Sequence, residues 1–127
     1  MQPGGAIDWS GMEFKLHAGK NGPVAELLGT GVLVKDVSDA LDLMANCGAR
    51  SFVVREEHLP REFFQLKSRL AGDILQKYSN YRVRFAVVGD FSKYQSKPLA
   101  DFIRESNSTG EMLFVPTLEE ALERFGR

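Results

Sequence analysis

The sequence predicts an α/β domain: a mixed five-stranded sheet flanked by four helices, in the order ββαβαβαβα. Three observations carry that expectation. Apolar residues switch repeatedly between the two-residue period of a strand and the 3.6-residue period of a helix. Two short strand patterns flank Asn21-Gly22, a hairpin signal, and every later strand pattern is separated from the next by a helix, which implies right-handed crossovers and parallel pairing. Residues 82–89, Arg-Val-Arg-Phe-Ala-Val-Val-Gly, become continuously apolar, as a central strand covered on both faces does. At 127 residues the chain has the size of one domain. We divide it into a flexible leader over 1–11 and a single folded domain over 12–127.

The leader holds Pro3-Gly4-Gly5 and Ser10-Gly11 with almost no charge, and Trp9 is its only expected anchor. Phe14 and Leu16 then alternate with Glu13, Lys15 and His17, a strand whose wet face carries His17. Asn21-Gly22 marks a tight turn, because both central residues of a type I′ turn take positive φ, and Val24 to Leu28 form the returning strand. Gly29-Thr30-Gly31 breaks the pattern, and Val32 to Val34 stay open between strand extension and buried loop. Asp36 or Ser38 caps a helix with Val37, Ala40, Leu41, Leu43, Met44 and Cys47 on its apolar side, closed by Gly48. Ser51 to Val54 form a short buried strand that runs into Arg55-Glu56-Glu57-His58.

Pro60 is expected to open the longest helix, reaching about Asn80, since a first-turn proline loses no intrahelical bond. Its inner stripe is Phe63, Leu66, Leu70, Ile74 and Tyr78. Gly72 inside it costs ~1 kcal/mol relative to alanine. A close neighbour would offset that cost, either within the chain or in a second subunit. After the central strand, Ser96 starts a third helix through Phe102 and Ile103 to about Asn107, and Met112 to Val115 form the last strand. Thr117-Leu118-Glu119-Glu120 is a capping box that opens the final helix, with Leu118, Leu122 and Phe125 inward.

Composition narrows the function classes. Sixteen Lys and Arg against 17 Asp and Glu leave a net charge of -1, which argues against a nucleic-acid or anionic-lipid partner. Arg61, Lys67, Arg69, Lys77, Arg82 and Arg84 form a locally basic stretch, but it lacks the aromatic interleaving of an RNA platform and reads as a solvated face. One cysteine excludes an internal disulfide and a multi-cysteine zinc site, and fits a reducing compartment. Cys47 is expected to be an inert, buried thiol. No apolar run approaches the ~20 residues of a membrane span, and the N-terminus lacks signal-peptide character. A cytoplasmic protein is expected.

Three stretches carry a resemblance. They are Phe63-Phe64-Gln65-Leu66 leading into Ala71-Gly72-Asp73-Ile74-Leu75-Gln76-Lys77-Tyr78, then Val87-Val88-Gly89-Asp90-Phe91-Ser92-Lys93-Tyr94, then Asp101-Phe102-Ile103-Arg104-Glu105-Ser106-Asn107. Together they resemble a bacterial family known as domain of unknown function 4180, over roughly residues 14 to 125. The order of elements and the Ala86-Val87-Val88-Gly89-Asp90 strand end also look like the STAS fold of sulfate-transporter and anti-sigma-antagonist domains. That likeness implies a domain that mainly binds partners, with some relatives holding nucleotides or apolar ligands. Signalling members carry a phosphorylatable Ser or Thr where this chain has Glu56-Glu57-His58-Leu59-Pro60, so the phospho-switch is absent here.

In an open α/β sheet, ligands lie outside the carboxyl ends of the strands. That rule gathers the loops Arg55–Pro60 and Gly89–Tyr94 into one neighbourhood. Glu57, His58 and Asp90, with Glu56, are the candidate catalytic groups, able in principle to shuttle protons or to hold a divalent ion. The plainer reading has Glu56 and Glu57 stabilising the positive end of the long helix. No second histidine stands at ligand spacing, so we assign no metal, and no cofactor is implied. Candidate ligand-binding residues are Glu56, Arg61, Gly89, Asp90, Ser92, Tyr94, Arg104 and Asn107. Gly89 permits close approach of backbone to a ligand. Asp90 is also a natural partner for its own turn, and Asn107 for a helix end.

These observations favour a non-catalytic regulatory or small-ligand-binding module, homodimeric, with a protein partner or a small ligand at the two loops. On this reading a His58→Ala variant folds normally and loses capture. Two alternatives stay open: a small hydrolase or lyase using His58 with Glu56, Glu57 or Asp90, and a carrier of an apolar molecule. The second is prompted by nine phenylalanines, of which Phe52, Phe63, Phe64, Phe85, Phe102 and Phe114 fall at core-like positions.

Overall fold

A computed structural model describes residues 6–7 and 12–126. Its strands are β1 (Ala6–Ile7), β2 (Glu13–His17), β3 (Val24–Leu27), β4 (Ser51–Arg55), β5 (Arg84–Val88) and β6 (Met112–Val115). Its helices are α1 (Val37–Asn46), α2 (Leu70–Asn80), α3 (Lys97–Thr109) and α4 (Leu118–Phe125). The sheet runs β1-β2-β3-β4-β5-β6 in space. The first two pairings are antiparallel and the remaining three parallel.

The five expected strands are therefore in place, and so are four helices, the second of them much shorter than expected. β1 is an addition within the stretch read as a leader, pairing Ala6 with Phe14 and Ile7 with Glu13. Trp9 and the rest of that stretch lie outside the described residues.

The strand order decides the layers. Right-handed crossovers between strands that are neighbours both in sequence and in the sheet place α1, α2 and α3 on one face. There Ala40, Leu43, Ile74, Tyr78 and Leu99 pack with Phe14, Leu27, Phe52, Phe85 and Phe114 of the sheet. α4, the last described element, folds over the opposite face, where Ala121 and Phe125 meet Val24, Val53, Ala86 and Leu113. The alternation along β5 explains the continuous apolar run: Phe85 and Val87 face three helices, Ala86 faces α4. The phenylalanines offered for an apolar carrier pack on one another and on Tyr78. Phe52–Tyr78 and Phe52–Phe85 meet edge-on at 5.1 and 5.5 Å, and Phe91–Phe114 at 5.2 Å.

Side-chain caps set most helix starts. Asp36 accepts from Asp39 N at 2.9 Å, Ser96 from Leu99 N at 3.2 Å and Thr117 from Glu120 N at 3.1 Å. At the far end of α4, Arg84 donates to the carbonyl of Phe125 at 3.1 Å and lies 5.0 Å over its ring. A guanidinium there complements the negative helix end, so Arg84 is part of the scaffold rather than of a basic patch. Cys47 is buried, donates to the Ala49 carbonyl at 3.2 Å, and has its thiol pKa pushed up by burial.

Four expectations need correction. The long helix from Pro60 to Asn80 does not form. The chain instead makes 3-10 turns over Arg61–Phe64 and Leu66–Ser68 before α2 begins at Leu70. Successive residues of an α-helix point ~100° apart, yet Phe63 and Phe64 are both buried in different settings. Phe63 meets Phe85 and Phe114, whereas Phe64 meets Phe91 and Tyr94. Ser68 ties the break by donating to the Glu62 carbonyl and accepting from Leu70 N, with Arg69 at φ 67° between. Gly72 consequently stands in the first turn of α2, exposed, and a Cβ there would meet nothing within 4 Å. Among the described residues the chain thus supplies no close neighbour for it.

The hairpin is not a two-residue type I′ turn. Its flanking pair is His17 and Val24, Gly22 alone has positive φ, and Asn21 instead donates to the Phe125 carbonyl at 2.9 Å. That long-range bond to α4 sets the loop. α3 runs past Asn107 to Thr109 and is closed by Gly110 at φ 81°. Asn107 is therefore no helix cap. Its amide donates to the Phe114 carbonyl at 3.2 Å and accepts from Phe114 N at 2.7 Å, occupying the outer edge of β6 as a neighbouring strand would. Finally, His17 is not a freely solvated residue, as its pairing with Glu26 shows below.

Candidate functional site

β4 and β5 are parallel neighbours with Arg55 opposite Val88, so the next residues, Glu56 and Gly89, leave the sheet side by side. The two loops do share one rim. A Cβ at Gly89 would lie 2.7 Å from Glu56 Oε1 and 2.8 Å from Glu56 Cβ. Only glycine leaves room for Glu56 to cross to the second loop. There its Oε2 accepts a short hydrogen bond from the Tyr94 hydroxyl and pairs with Lys93 Nζ at 2.7 Å. Burial and the adjoining Glu56 carboxylate both push the Tyr94 phenol pKa well up. The Tyr94 ring stacks on Phe64 at 5.0 Å and 16°, and Lys93 Nζ lies 5.6 Å from its centroid.

Around this clasp lies a cleft of about 380 Å³. Glu56, Glu57, Leu59 and Arg61 line it from the first loop, Lys93 and Tyr94 from the second, and Phe64 from the 3-10 turn between. A neighbouring recess of about 500 Å³ lies against Gly89, Asp90 and Phe91 on one side and Phe114, Val115 and Pro116 on the other.

His58 belongs to neither space. It is fully buried, and both ring nitrogens are committed to backbone. Nδ1 accepts from Arg55 N at 3.0 Å, so Nε2 carries the proton and donates to the Gly29 carbonyl at 2.9 Å. The His58 carbonyl in turn accepts from Leu33 N and Val34 N, each at 3.0 Å. This histidine fastens the 29–34 loop to the end of β4, and residues 32–34 are loop rather than strand, with Val32 exposed, Leu33 partly buried and Val34 buried. Asp90 is exposed and turned onto Ser92, accepting from its N at 3.1 Å and its hydroxyl at 2.6 Å. Those bonds, with the charge of Lys93, hold its carboxyl below the usual range.

The structure therefore gathers Glu56, Glu57, Arg61, Gly89 and Tyr94. It puts Asp90 and Ser92 beside them in a closed turn and removes His58 into the interior. Arg104 pairs with Asp101 at 2.9 Å on the exposed side of α3, and Asn107 is spent on β6, so neither lines the cleft. Glu56 and Glu57 occupy a 3-10 turn, not the start of a long helix. Among the described residues, no group of three or more His, Cys, Asp or Glu is placed to hold a metal ion. Nor is any helix among them long and apolar enough to cross a membrane.

Sequence reasoning missed Lys93, Leu59 and Phe64 as lining residues, and it missed Glu26 altogether. The signal for Glu26 was a lone carboxylate in the otherwise apolar Val24–Leu27 strand. Glu26 is buried on the α4 side of the sheet, where its two oxygens bind His17 Nε2 and Arg55 Nη2, each at 2.8 Å. Burial pushes this carboxyl up, but the bonds from His17 and Arg55 and their charge outweigh it and hold its pKa below the ordinary 4.5. A depressed folded-state pKa contributes stability above the unfolded value that is lost as pH falls through the folded one. Wild type should therefore lose its urea-midpoint advantage over Glu26→Gln as the pH is lowered from 7 to 3. A gap constant across that range would show that ionised Glu26 contributes nothing.

Fold and rim together define a small three-layer α/β domain with a cleft of mixed charged and apolar lining at the carboxyl ends of its parallel strands. Residues 19–125 match the family described as Domain of unknown function (DUF4180), and the chain belongs to that family. No curated protein and no solved structure matches it.

Proposed function

We propose that this chain is a STAS-like regulatory or ligand-binding module of the bacterial cytosol, non-catalytic and homodimeric, which engages a small ligand at the cleft between 56–61 and 89–94. The single observation that carries the reading is the Glu56 clasp. A carboxylate threaded across Gly89 and held by Tyr94 and Lys93 builds a rigid, partly apolar cleft before any ligand arrives. Preformed clefts of this kind, with a few fixed polar groups, are the usual form of small-molecule sites. Acid–base chemistry lacks its imidazole, since His58 has no free nitrogen to offer. The element order and mixed sheet support the STAS-like part of the reading. The open surface around Gly72 supports association through α2.

The test is a titration of nitrogen-15-labelled protein with mixtures of small metabolites, with sedimentation measured in the same buffer. At least one mixture should move the amide resonances of 56–61 and 89–94 together, and the mass should be that of two chains. Unmoved resonances at both segments with every mixture would remove the ligand-binding reading. A single-chain mass at high concentration would remove the dimer.

A further inference from the structure

Charge in the cleft is balanced, and its bookkeeping points to one class of ligand. Four ionised groups line it, Glu56 and Glu57 against Arg61 and Lys93. Glu56 and Lys93 already neutralise each other at 2.7 Å, with the Tyr94 hydroxyl on the same oxygen. Among the described residues the side chains of Glu57 and Arg61 have no such partner, and both are exposed at the cleft. One free carboxylate and one free guanidinium thus share the cleft with the apolar surface of Leu59, Phe64 and Tyr94.

We infer that the cleft takes a small zwitterion with an apolar body, the charge layout of a free α-amino acid. Its carboxylate pairs with Arg61, whose planar fork suits that geometry. Its ammonium pairs with Glu57, and its side chain lies on the apolar surface. A ligand of one sign would satisfy one free group and bring like charge toward the other, whereas a zwitterion compensates both. The volume agrees: about 380 Å³ is near the low end of the ~300–1,000 Å³ of small-molecule sites. This inference rests on the ligand-binding reading above and names the ligand class for the same cleft.

The experiment titrates the labelled full chain with leucine, with leucinamide, which has an uncharged amide in place of the carboxylate, and with N-acetylleucine, whose acetyl group removes the ammonium charge; all three keep the same apolar side chain. Leucine should shift the amides of 56–61 and 93–94, and each blocked derivative should bind at least tenfold more weakly. Arg61→Gln should abolish the preference over leucinamide, and Glu57→Gln the preference over N-acetylleucine. Both positions are exposed, and unchanged urea midpoints confirm that the variants fold. A blocked derivative that binds as tightly as leucine overturns the zwitterion while leaving a binding cleft. Silence from all three probes also overturns it. The binding module itself falls only if the broader metabolite mixtures leave both loops unmoved as well.

Discussion

Replacing His58 by alanine should unfold the protein more readily, lowering its thermal midpoint by roughly 10–20 °C. Truncating a fully buried side chain of this size costs about 2–5 kcal/mol through lost packing and the cavity left behind. The variant also strands two backbone groups, the Arg55 N–H and the Gly29 carbonyl, which His58 now satisfies. Each stranded group adds ~1–3 kcal/mol if water cannot reach it. Water entering the cavity meets part of that demand, so the net loss falls at the low end of the sum, about 4–5 kcal/mol, which corresponds to that midpoint shift for a domain of this size. Circular dichroism melts of wild type and variant measure it directly. A midpoint within about 3 °C of wild type would mean that the 29–34 loop is not fastened through this ring. The result also replaces the expectation that His58→Ala folds normally and loses capture: its effect falls on the fold first.

Gly89→Ala should have the second largest effect, and its consequences should centre on the cleft. The new methyl would stand 2.8 Å from Glu56 Cβ, an atom fixed to the backbone rather than the tip of a flexible chain. Rotation of the carboxylate alone cannot relieve that contact, so the end of β4 or of β5 must shift. Overpacking of this kind costs typically ~1–3 kcal/mol. The shift also withdraws Glu56 from Tyr94 and Lys93. The Tyr94 phenol, now held high by burial and by that carboxylate, should then titrate closer to the ordinary tyrosine range near 10. Urea midpoints give the stability loss, and tyrosine ring resonances followed through high pH give the titration. An unchanged Tyr94 titration in a stably folded Gly89→Ala protein would show that the clasp does not depend on the glycine.

Much of the site's address was legible in advance, because it follows from topology. Parallel strands joined by right-handed crossovers leave their carboxyl ends on one rim, so naming β4 and β5 was enough to bring 56–61 and 89–94 together. What each side chain does at that rim was not legible. His58 and Gly29 are 29 residues apart, as are Arg55 and Glu26, and Tyr94 and Glu56 are 38 apart. Nothing in the local run Arg55-Glu56-Glu57-His58 distinguishes the carboxylate that crosses to Tyr94 from its solvent-facing neighbour. The exposed Glu57 and the buried His58 are likewise adjacent.

The same division holds for the fold. By itself the sequence determined five of the six strands, the presence of four helices and the caps at Ser96 and Thr117, with Asp36 one of two candidates for a third, because those depend on φ/ψ preference, side-chain period and hydrogen bonds reaching only three residues along the chain. Tertiary structure alone decided that Phe63 and Phe64 break the helix after Pro60, that Asn21 reaches α4, that Asn107 seals β6 and that Glu26 is paired with His17 and Arg55. In each case a side chain is drawn out of its local pattern by a partner that arrives only when the layers close. Burial and polar satisfaction are properties of the assembled interior, and a local window of sequence contains no information about which distant group will be there.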